Sequence, residues 1–262
     1  MGNTEIKAYD RARAARGSQR PSAGGYMKLL IDDFIELHGD RRFGDDPAIF
    51  SGVGFLNGEP VTVVAMERGD TIEDRMRRKF GCPTPEGYRK ALRLMKEAEK
   101  FHRPVLCFIG SSGAYPGIEA EERGQGEAIA ENLYEMMTLK TPVISVVVGE
   151  GGSGGALALG VGNTVVMLEN AIYSVISPEA CATILWKDAA KAPEAAEALK
   201  FTAENLFEFG VIEKIISETN RTVDEIAAEL KDYLTTQIAE KKKLSEKELL
   251  DERYNKFRKI GA

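Results

Sequence analysis

Short apolar runs and amphipathic stretches alternate along the chain, and this alternation predicts strands followed by helices. Residues 104–110 (PVLCFIG) and 142–148 (PVISVVV) are almost entirely apolar, which is typical of strands buried on both faces. Each run leads into a glycine-rich turn and then into a helical pattern. The chain therefore repeats one unit of strand, glycine turn and helix, at residues 104–139 and 142–159.

Other patterns supply the elements around this repeat. Residues 49–66 predict a hairpin, because two apolar runs flank the turn Asn57-Gly58. Ser177-Pro178 predicts a helix start, with a hydroxyl cap and a proline in the first turn. Further elements are expected as helices at 26–37 and 85–101, strands at 164–168, 172–176 and 211–216, a helical stretch at 187–209 ended by Gly210, and a charged helical segment from about residue 221.

Composition narrows the class of protein. The first 25 residues are polar, basic and small, and predict a loosely ordered N-terminal arm ahead of a single domain at 26–262. With 43% hydrophobic residues, that domain has ample material for a core. The net charge of −6 lacks the basic footprint of a nucleic-acid-binding protein, so no nucleic-acid site is predicted.

Cysteine and histidine usage points to a metal-free chain. Cys82, Cys107 and Cys181 form no C-x-x-C pair, and the chain has only two histidines, so no zinc site is predicted. Unpaired cysteines are typical of a reducing compartment, and the start shows no apolar signal-peptide core. No apolar run reaches the roughly 18 residues that a membrane span needs. We therefore expect a cytoplasmic protein.

The stretch GEGGSGG at 149–155 is the main candidate for chemistry. Five of its seven residues are glycine, and the good helix formers ALAL follow at 156–159. This pattern predicts a strand, a tight turn and a helix start, where unpaired N–H groups meet a partial positive charge. Glycine lets a ligand approach such a backbone closely. The turn is therefore a candidate for binding an anion or stabilising a developing oxyanion.

Two other motifs match the same letters. Residues 151–155 fit G-x-S-x-G, the nucleophile elbow, but that elbow needs a later histidine, and His38 and His102 both precede Ser153. Residues 149–154 fit the dinucleotide pattern G-x-G-x-x-G, with Glu169 at a suitable distance, although the predicted helix is short for a crossover. A purely structural role in strand–helix packing also remains open.

Four longer runs carry a resemblance to a known family. They are PEGYRKALRLMKEAEKF (85–101), GAYPGIEAEERGQGEAIAENL (113–133), GEGGSGGALALGVGN (149–163) and YSVISPEACATILWK (173–187). These runs resemble the carboxyltransferase α subunit of heteromeric acetyl-CoA carboxylase, and the resemblance covers roughly residues 20–260. It implies a crotonase-like (ClpP-like) α/β spiral of repeated ββα units with flanking helices.

The resemblance also implies a reaction and its partners. The family transfers a carboxyl group from carboxybiotin, held on a biotin carboxyl carrier protein, to acetyl-CoA, giving malonyl-CoA for fatty acid synthesis. The α subunit supplies the carboxybiotin half of the site. A separate β subunit supplies the acetyl-CoA half and a zinc ribbon, so an α2β2 complex is expected.

Site residues follow from the resemblance position by position. Gly154 and Gly155 match the pair whose N–H groups hold the biotin ureido oxygen, and Gly113 and Ala114 lie in the matching neighbouring loop. Residues 151–153 (Gly151, Gly152 and Ser153) complete the expected substrate-binding turn. The family usually has Asp-Thr-Pro before Gly-Ala-Tyr-Pro-Gly, whereas this chain has Gly110-Ser111-Ser112.

Two other function classes stay open on the residues. One is a stand-alone crotonase-fold acyl-CoA hydratase or hydrolase, in which Glu119, Glu121 or Glu122 would act as acid and base. The other is an inactive scaffold subunit, indicated by the altered turn at 110–112. The basic run at 75–79 either meets phosphates or an acidic partner, or is a solvated face.

Overall fold

One mixed sheet runs through the protein in a computed structural model, which describes residues 7–17 and 20–261. Its strands are β1 (Asp32–Glu36), β2 (Ile49–Leu56), β3 (Glu59–Met66), β4 (Val105–Ser111), β5 (Val143–Gly152), β6 (Thr164–Leu168), β7 (Ile172–Ser174) and β8 (Lys214–Ile216). The helices are α1 (Ala8–Ala15), α2 (Ala23–Leu30), α3 (Ile72–Arg77), α4 (Pro85–Lys100), α5 (Ile118–Glu122), α6 (Gln125–Thr138), α7 (Ser153–Leu157), α8 (Pro178–Trp186), α9 (Ala192–Leu199), α10 (Ala203–Glu208), α11 (Val223–Lys241) and α12 (Glu246–Lys259).

The strand order places the two glycine turns on the same edge of the sheet. The order is β1-β2-β3-β4-β5-β6-β8, and β7 pairs with the distal end of β5. From β3 onward the pairs are parallel, so the carboxyl ends of β4 and β5 point the same way. Ser111 at the end of β4 is in register with Gly151 near the end of β5. The turns that follow these strands therefore start side by side.

The strongest sequence patterns are confirmed. The hairpin of β2 and β3 turns at Asn57-Gly58, and α4 and β6 lie within one residue of their predicted bounds. Ser177 caps α8 by accepting a hydrogen bond from the Ala180 N–H. The predicted strand at 142–148 is confirmed but extends to Gly152, because β7 pairs with its last residues.

Two helical predictions are wrong in part. The helix predicted at 26–37 runs from Ala23 to Leu30, and β1 follows it. Here the free edge of β2 offers hydrogen bonds that outweigh local helix propensity, and β1 is an exposed edge strand. The stretch predicted at 187–209 breaks into α9 and α10, because Lys200 is left-handed and Thr202 caps a new helix.

The N-terminal arm differs from the loosely ordered segment that its composition predicts. Residues 8–15 form α1, whose Ala12 and Ala15 are buried in a small cluster with Ile172 and Phe201. Small side chains let this helix lie close against the sheet edge. Arginines then fix it through ion pairs, such as that of Arg11 with Glu169 at 3.4 Å. The parts of the arm at residues 1–6 and 18–19 lie outside the described residues.

Candidate active site at two adjacent glycine turns

The turn after β4 is shaped by a serine side chain. The Ser111 hydroxyl accepts a hydrogen bond from the Gly113 N–H at 3.1 Å and donates to the Gly113 carbonyl at 2.8 Å. Further on, the Tyr115 N–H donates to the Pro83 carbonyl. The side-chain amide of Gln125 donates to the carbonyl of Pro83 and to the carbonyl of Tyr115. The loop at 113–115 is therefore held by Ser111 at the end of β4, by Pro83 before α4 and by Gln125 at the start of α6.

The turn after β5 lies directly against this loop. A methyl group placed on Gly152 would lie 1.9 Å from the Ser112 carbonyl oxygen. A methyl group on Gly155 would lie 2.4 Å from the Ala114 backbone nitrogen. Real side chains do not approach so closely, so only glycine lets the two turns touch here. The prediction that these turns are adjacent is confirmed.

Backbone N–H groups are the main polar groups at the junction. Gly154 and Gly155 occupy the first turn of α7, where N–H groups have no acceptor inside the helix. The Ala114 N–H, which lies outside the helices and strands, has no hydrogen-bond acceptor among the described residues. The Gly113 N–H, in contrast, is already bonded to Ser111. Gly113 therefore shapes the loop, and the available donors belong to Ala114, Gly154 and Gly155.

A cleft of about 320 Å³ opens beside the junction. Gly151, Gly152 and Ser153 belong to its lining, whereas Gly113, Ala114, Gly154 and Gly155 do not. Ser174, which pairs with Gly152 across β5 and β7, and Ser177, at the start of α8, also line it. The cleft thus joins the β5 turn to parts of the chain that the sequence motifs did not connect.

Arg16 is a cleft residue that the sequence did not identify. Its guanidinium bonds to Glu150 at 2.7 Å and to Glu179 at 2.7 Å, and thereby ties α1 to the end of β5 and the start of α8. The hydrogen bonds to Arg16 hold the pKa of Glu179 below its usual value. These contacts span more than 130 residues of sequence, which is why no local motif indicates them.

Tyr88 is a second polar residue that sequence reasoning missed. It lies on α4, is fully buried, and its hydroxyl has no hydrogen-bond partner among the described residues. The same methyl group that would collide with Ala114 would lie 2.8 Å from the Tyr88 hydroxyl oxygen. Burial, with smaller effects of Cys82 and Asp46, raises the pKa of Tyr88 well above 10, so the hydroxyl is protonated.

The hydrolase interpretation fails because it needs a histidine beside Ser153. Ser153 is exposed and left-handed, with φ of 55°, as at a nucleophile elbow. However, the cleft beside it contains no histidine among the described residues. His38 pairs with Asp45 at 3.0 Å, and His102 lies just after α4. A serine without a neighbouring base is a weak nucleophile.

The dinucleotide interpretation also fails. The helix after the glycines is a single turn, Ser153–Leu157, too short for a crossover that packs on the sheet. Glu169 is committed to a turn, where it accepts hydrogen bonds from the N–H groups of Glu218 and Thr219 at 2.6 and 2.9 Å. Burial raises the pKa of Glu169, but these and neighbouring hydrogen bonds outweigh it and lower that pKa to about 2.

The remaining candidates are surface groups. Glu119, Glu121 and Glu122 are exposed on α5, and hydrogen bonds from its own N–H and from Tyr115 lower the pKa of Glu119, opposite to what a general acid needs. In the basic run, Arg77 and Arg78 pair with Asp74, which favours a solvated face. Within residues 7–17 and 20–261 no cluster of metal-ligating side chains occurs, and no helix has the length and hydropathy to cross a membrane.

Sequence comparison relates the chain to one family along its whole length. Residues 3–261 match the family described as acetyl co-enzyme A carboxylase carboxyltransferase-like. The acetyl-coenzyme A carboxylase carboxyl transferase subunit alpha of Listeria welshimeri is 55% identical over 263 residues, covering 99% of this chain and 83% of the relative. The protein of the same name from Staphylococcus haemolyticus is 51% identical, covering 99% of this chain and 84% of the relative.

Solved structures share the fold at low sequence identity. Transcarboxylase 12S aligns with a TM-score of 0.69 at 17% identity, covering 90% of this chain and 45% of that chain. A Pseudomonas malonate decarboxylase hetero-tetramer in complex with malonate aligns with a TM-score of 0.61 at 20% identity, covering 76% of this chain and 81% of that chain. These likenesses confirm the predicted crotonase-like α/β fold.

Proposed function

The chain belongs to the family of acetyl-CoA carboxylase carboxyltransferase α subunits, and from this premise we propose that it transfers the carboxyl group of carboxybiotin to acetyl-CoA. The product is malonyl-CoA, formed in the first committed step of fatty acid synthesis in the cytoplasm. The observation that carries the proposal is the junction of two glycine turns, in a chain 55% identical to a named α subunit.

The residues at the junction fit the ureido group of biotin. A ureido oxygen is a hydrogen-bond acceptor. The Ala114 N–H is a donor without an acceptor among the described residues, and the N–H groups of Gly154 and Gly155 lie in the first turn of α7. Carboxybiotin bound here would supply the carboxyl group, and these donors would stabilise the negative charge that its loss leaves on the ureido oxygen. Fixed backbone donors stabilise such charge without reorganisation, by about 3–4 kcal/mol per donor in comparable sites.

Each predicted site residue then has a role. Gly154 and Gly155 donate their N–H groups to the ureido oxygen, and Ala114 adds one from the neighbouring loop. Gly113 sets the shape of that loop, since its own N–H is bonded to Ser111. Gly151, Gly152 and Ser153 line the cleft through which the carrier-bound cofactor enters. No side chain of this chain acts as base; the proton given up by acetyl-CoA would pass to the biotin nitrogen that has lost the carboxyl group.

This arrangement is half of an active site, so a partner is required. The partner is a β subunit with a zinc ribbon, which binds acetyl-CoA, and the complex is α2β2. Exposed apolar side chains beside the cleft and farther along α8 support a protein partner, because contiguous apolar surface on a folded protein often marks an interaction site. They are Val175 at 77% exposure, Ile184 at 59% and Leu185 at 64%, on and just before α8.

Reconstitution tests the proposal. The chain is purified alone and with a β-type subunit, each is supplied with carboxylated carrier protein and acetyl-CoA, and malonyl-CoA is measured. We expect product only from the complex. Malonyl-CoA formed by the chain and carrier without the β subunit would contradict the half-site. A verified complex that forms no product would contradict the proposed reaction.

A further inference from the structure

The buried hydroxyl of Tyr88 has no structural role in the protein as described. Tyr88 is 0% exposed, and its hydroxyl oxygen has no hydrogen-bond partner among the described residues. A buried hydroxyl without a partner destabilises the folded state relative to phenylalanine at the same position. Such groups are rare and call for a specific explanation. The explanation must come from where the hydroxyl points.

It points at the junction of the two glycine turns. The position of a Cβ on Gly155 lies 2.8 Å from the Tyr88 hydroxyl oxygen and 2.4 Å from the Ala114 nitrogen. The hydroxyl therefore occupies the side of Gly155 on which a side chain would project. Two hydrogen-bond donors, one from α4 and one from the loop after β4, converge beside the first turn of α7.

The polar groups near Tyr88 are bonded to other partners and do not engage its hydroxyl. The nearby Asp46 carboxylate is already occupied by the Thr84 N–H and hydroxyl, at 2.7 and 2.9 Å. The Cys82 thiol is paired with the Ser112 hydroxyl at 3.4 Å. The ring is held on α4, which Lys90 anchors to the Asp46 carbonyl at 2.8 Å. The hydroxyl is thus a fixed, protonated donor that faces the junction.

We propose that the Tyr88 hydroxyl is a further hydrogen-bond donor of the carboxybiotin site, beside the backbone N–H groups, and gains its acceptor when the ureido oxygen binds. This inference rests on the proposed function. A donor buried away from water makes a stronger bond to developing charge than an exposed one. The unpartnered hydroxyl destabilises the free protein, and the hydrogen bond to the ureido oxygen offsets that cost in the bound state, in which the reaction takes place.

Removing only the hydroxyl tests this, because the proposal predicts that thermal stability is kept or raised while the rate falls. Tyr88→Phe keeps the ring, so the free chain should have an unchanged or higher Tm. In the reconstituted α–β complex, its kcat should fall by about 10- to 100-fold with an unchanged KM for acetyl-CoA. Free biotin, used as the ureido probe, should raise the Tm of the wild-type chain more than that of the variant.

Tyr173→Phe is the matched control. The Tyr173 hydroxyl is also buried without a partner among the described residues, but it faces Gly160, where a methyl group would lie 2.4 Å from it. Its removal should likewise leave Tm unchanged or raise it, with kcat within about twofold of wild type, because Gly160 lies beyond α7.

Each outcome decides the inference. Wild-type kcat in Tyr88→Phe, or an equal effect of biotin on both proteins, would overturn it. A lower Tm together with lower kcat would also overturn it, since the hydroxyl would then have a structural partner. If the wild-type complex forms no malonyl-CoA, the proposed function fails and this inference fails with it. If the wild-type complex is active and Tyr88→Phe is equally active, only the inference about Tyr88 fails.

Discussion

Gly155→Ala is the sharpest test of the junction, because it leaves every backbone donor in place. The alanine N–H remains, and α7 gains a better helix former. What changes is one methyl group, which would lie 2.4 Å from the Ala114 nitrogen and 2.8 Å from the Gly113 carbonyl carbon. Both obstacles are backbone atoms, so no side chain can rotate out of the way.

The expected loss follows from that overlap. Ordinary contacts begin near 3.4 Å, so the two turns must separate by about 1 Å in a close-packed region. Overpacking of this kind costs about 1–3 kcal/mol of the free energy of unfolding. Displacing preorganised donors by about 1 Å costs roughly 100-fold in rate. We expect kcat to fall by about that factor while the protein still folds.

The assay is carboxyl transfer by the reconstituted complex, with thermal unfolding measured in parallel. Gly126→Ala is the control, since Gly126 is exposed on α6 and a methyl group there meets no atom within 4 Å. It should be neutral or stabilising by up to about 1 kcal/mol, with an unchanged rate. A folded Gly155→Ala complex with wild-type kcat would show that the spacing of the turns does not matter to catalysis.

Three further predictions concern the turn, the acid stability and the metal content. Ser153→Ala should keep kcat within about threefold of wild type, because no base accompanies the serine; a loss above 100-fold in a folded complex would restore the nucleophile. Burial raises the pKa of Asp40, but the N–H groups of residues 42–44 and the Arg89 guanidinium outweigh it and lower that pKa to about 2. A lowered carboxyl pKa stabilises the fold above the unfolded pKa near 4 and ceases to do so as pH falls towards 2. Asp40→Asn should therefore remove about 2 kcal/mol of unfolding free energy at pH 7 and less at pH 3, whereas exposed Asp224→Asn should change little in urea titrations. The isolated chain should contain no stoichiometric zinc by elemental analysis, and one zinc per chain would refute this.

Local sequence patterns predicted the strands and turns of the candidate site. They failed where the structure depends on contacts between residues far apart in the sequence. The strands β4 and β5 are buried on both faces, so their apolar runs were unambiguous. The arm at 8–15 was misjudged because its stability comes from Arg16 and its neighbours meeting carboxylates more than 130 residues away. Tyr88 was missed for a similar reason, since only the folded chain brings α4 beneath the two turns.

The sequence analysis assigned Gly154 and Gly155 the same role, but the structure shows that their steric surroundings differ. A methyl group on Gly154 would meet its nearest neighbour, a methyl group of Ile129, at 3.8 Å, which is an ordinary contact. Gly155 instead sits where the two turns cross. Packing therefore requires glycine at position 155 and makes no such demand at position 154.

The unusual residues at 110–112 show why the inactive-scaffold hypothesis does not follow from the altered motif. Losing a proline from a turn removes a local restraint on φ. Here the Ser111 hydroxyl supplies a different restraint, because it bonds both the N–H and the carbonyl of Gly113. The register of Ser111 with Gly151 then fixes where the turn begins. The shape of the loop in this chain therefore depends on the Ser111 hydroxyl and on the pairing of β4 with β5.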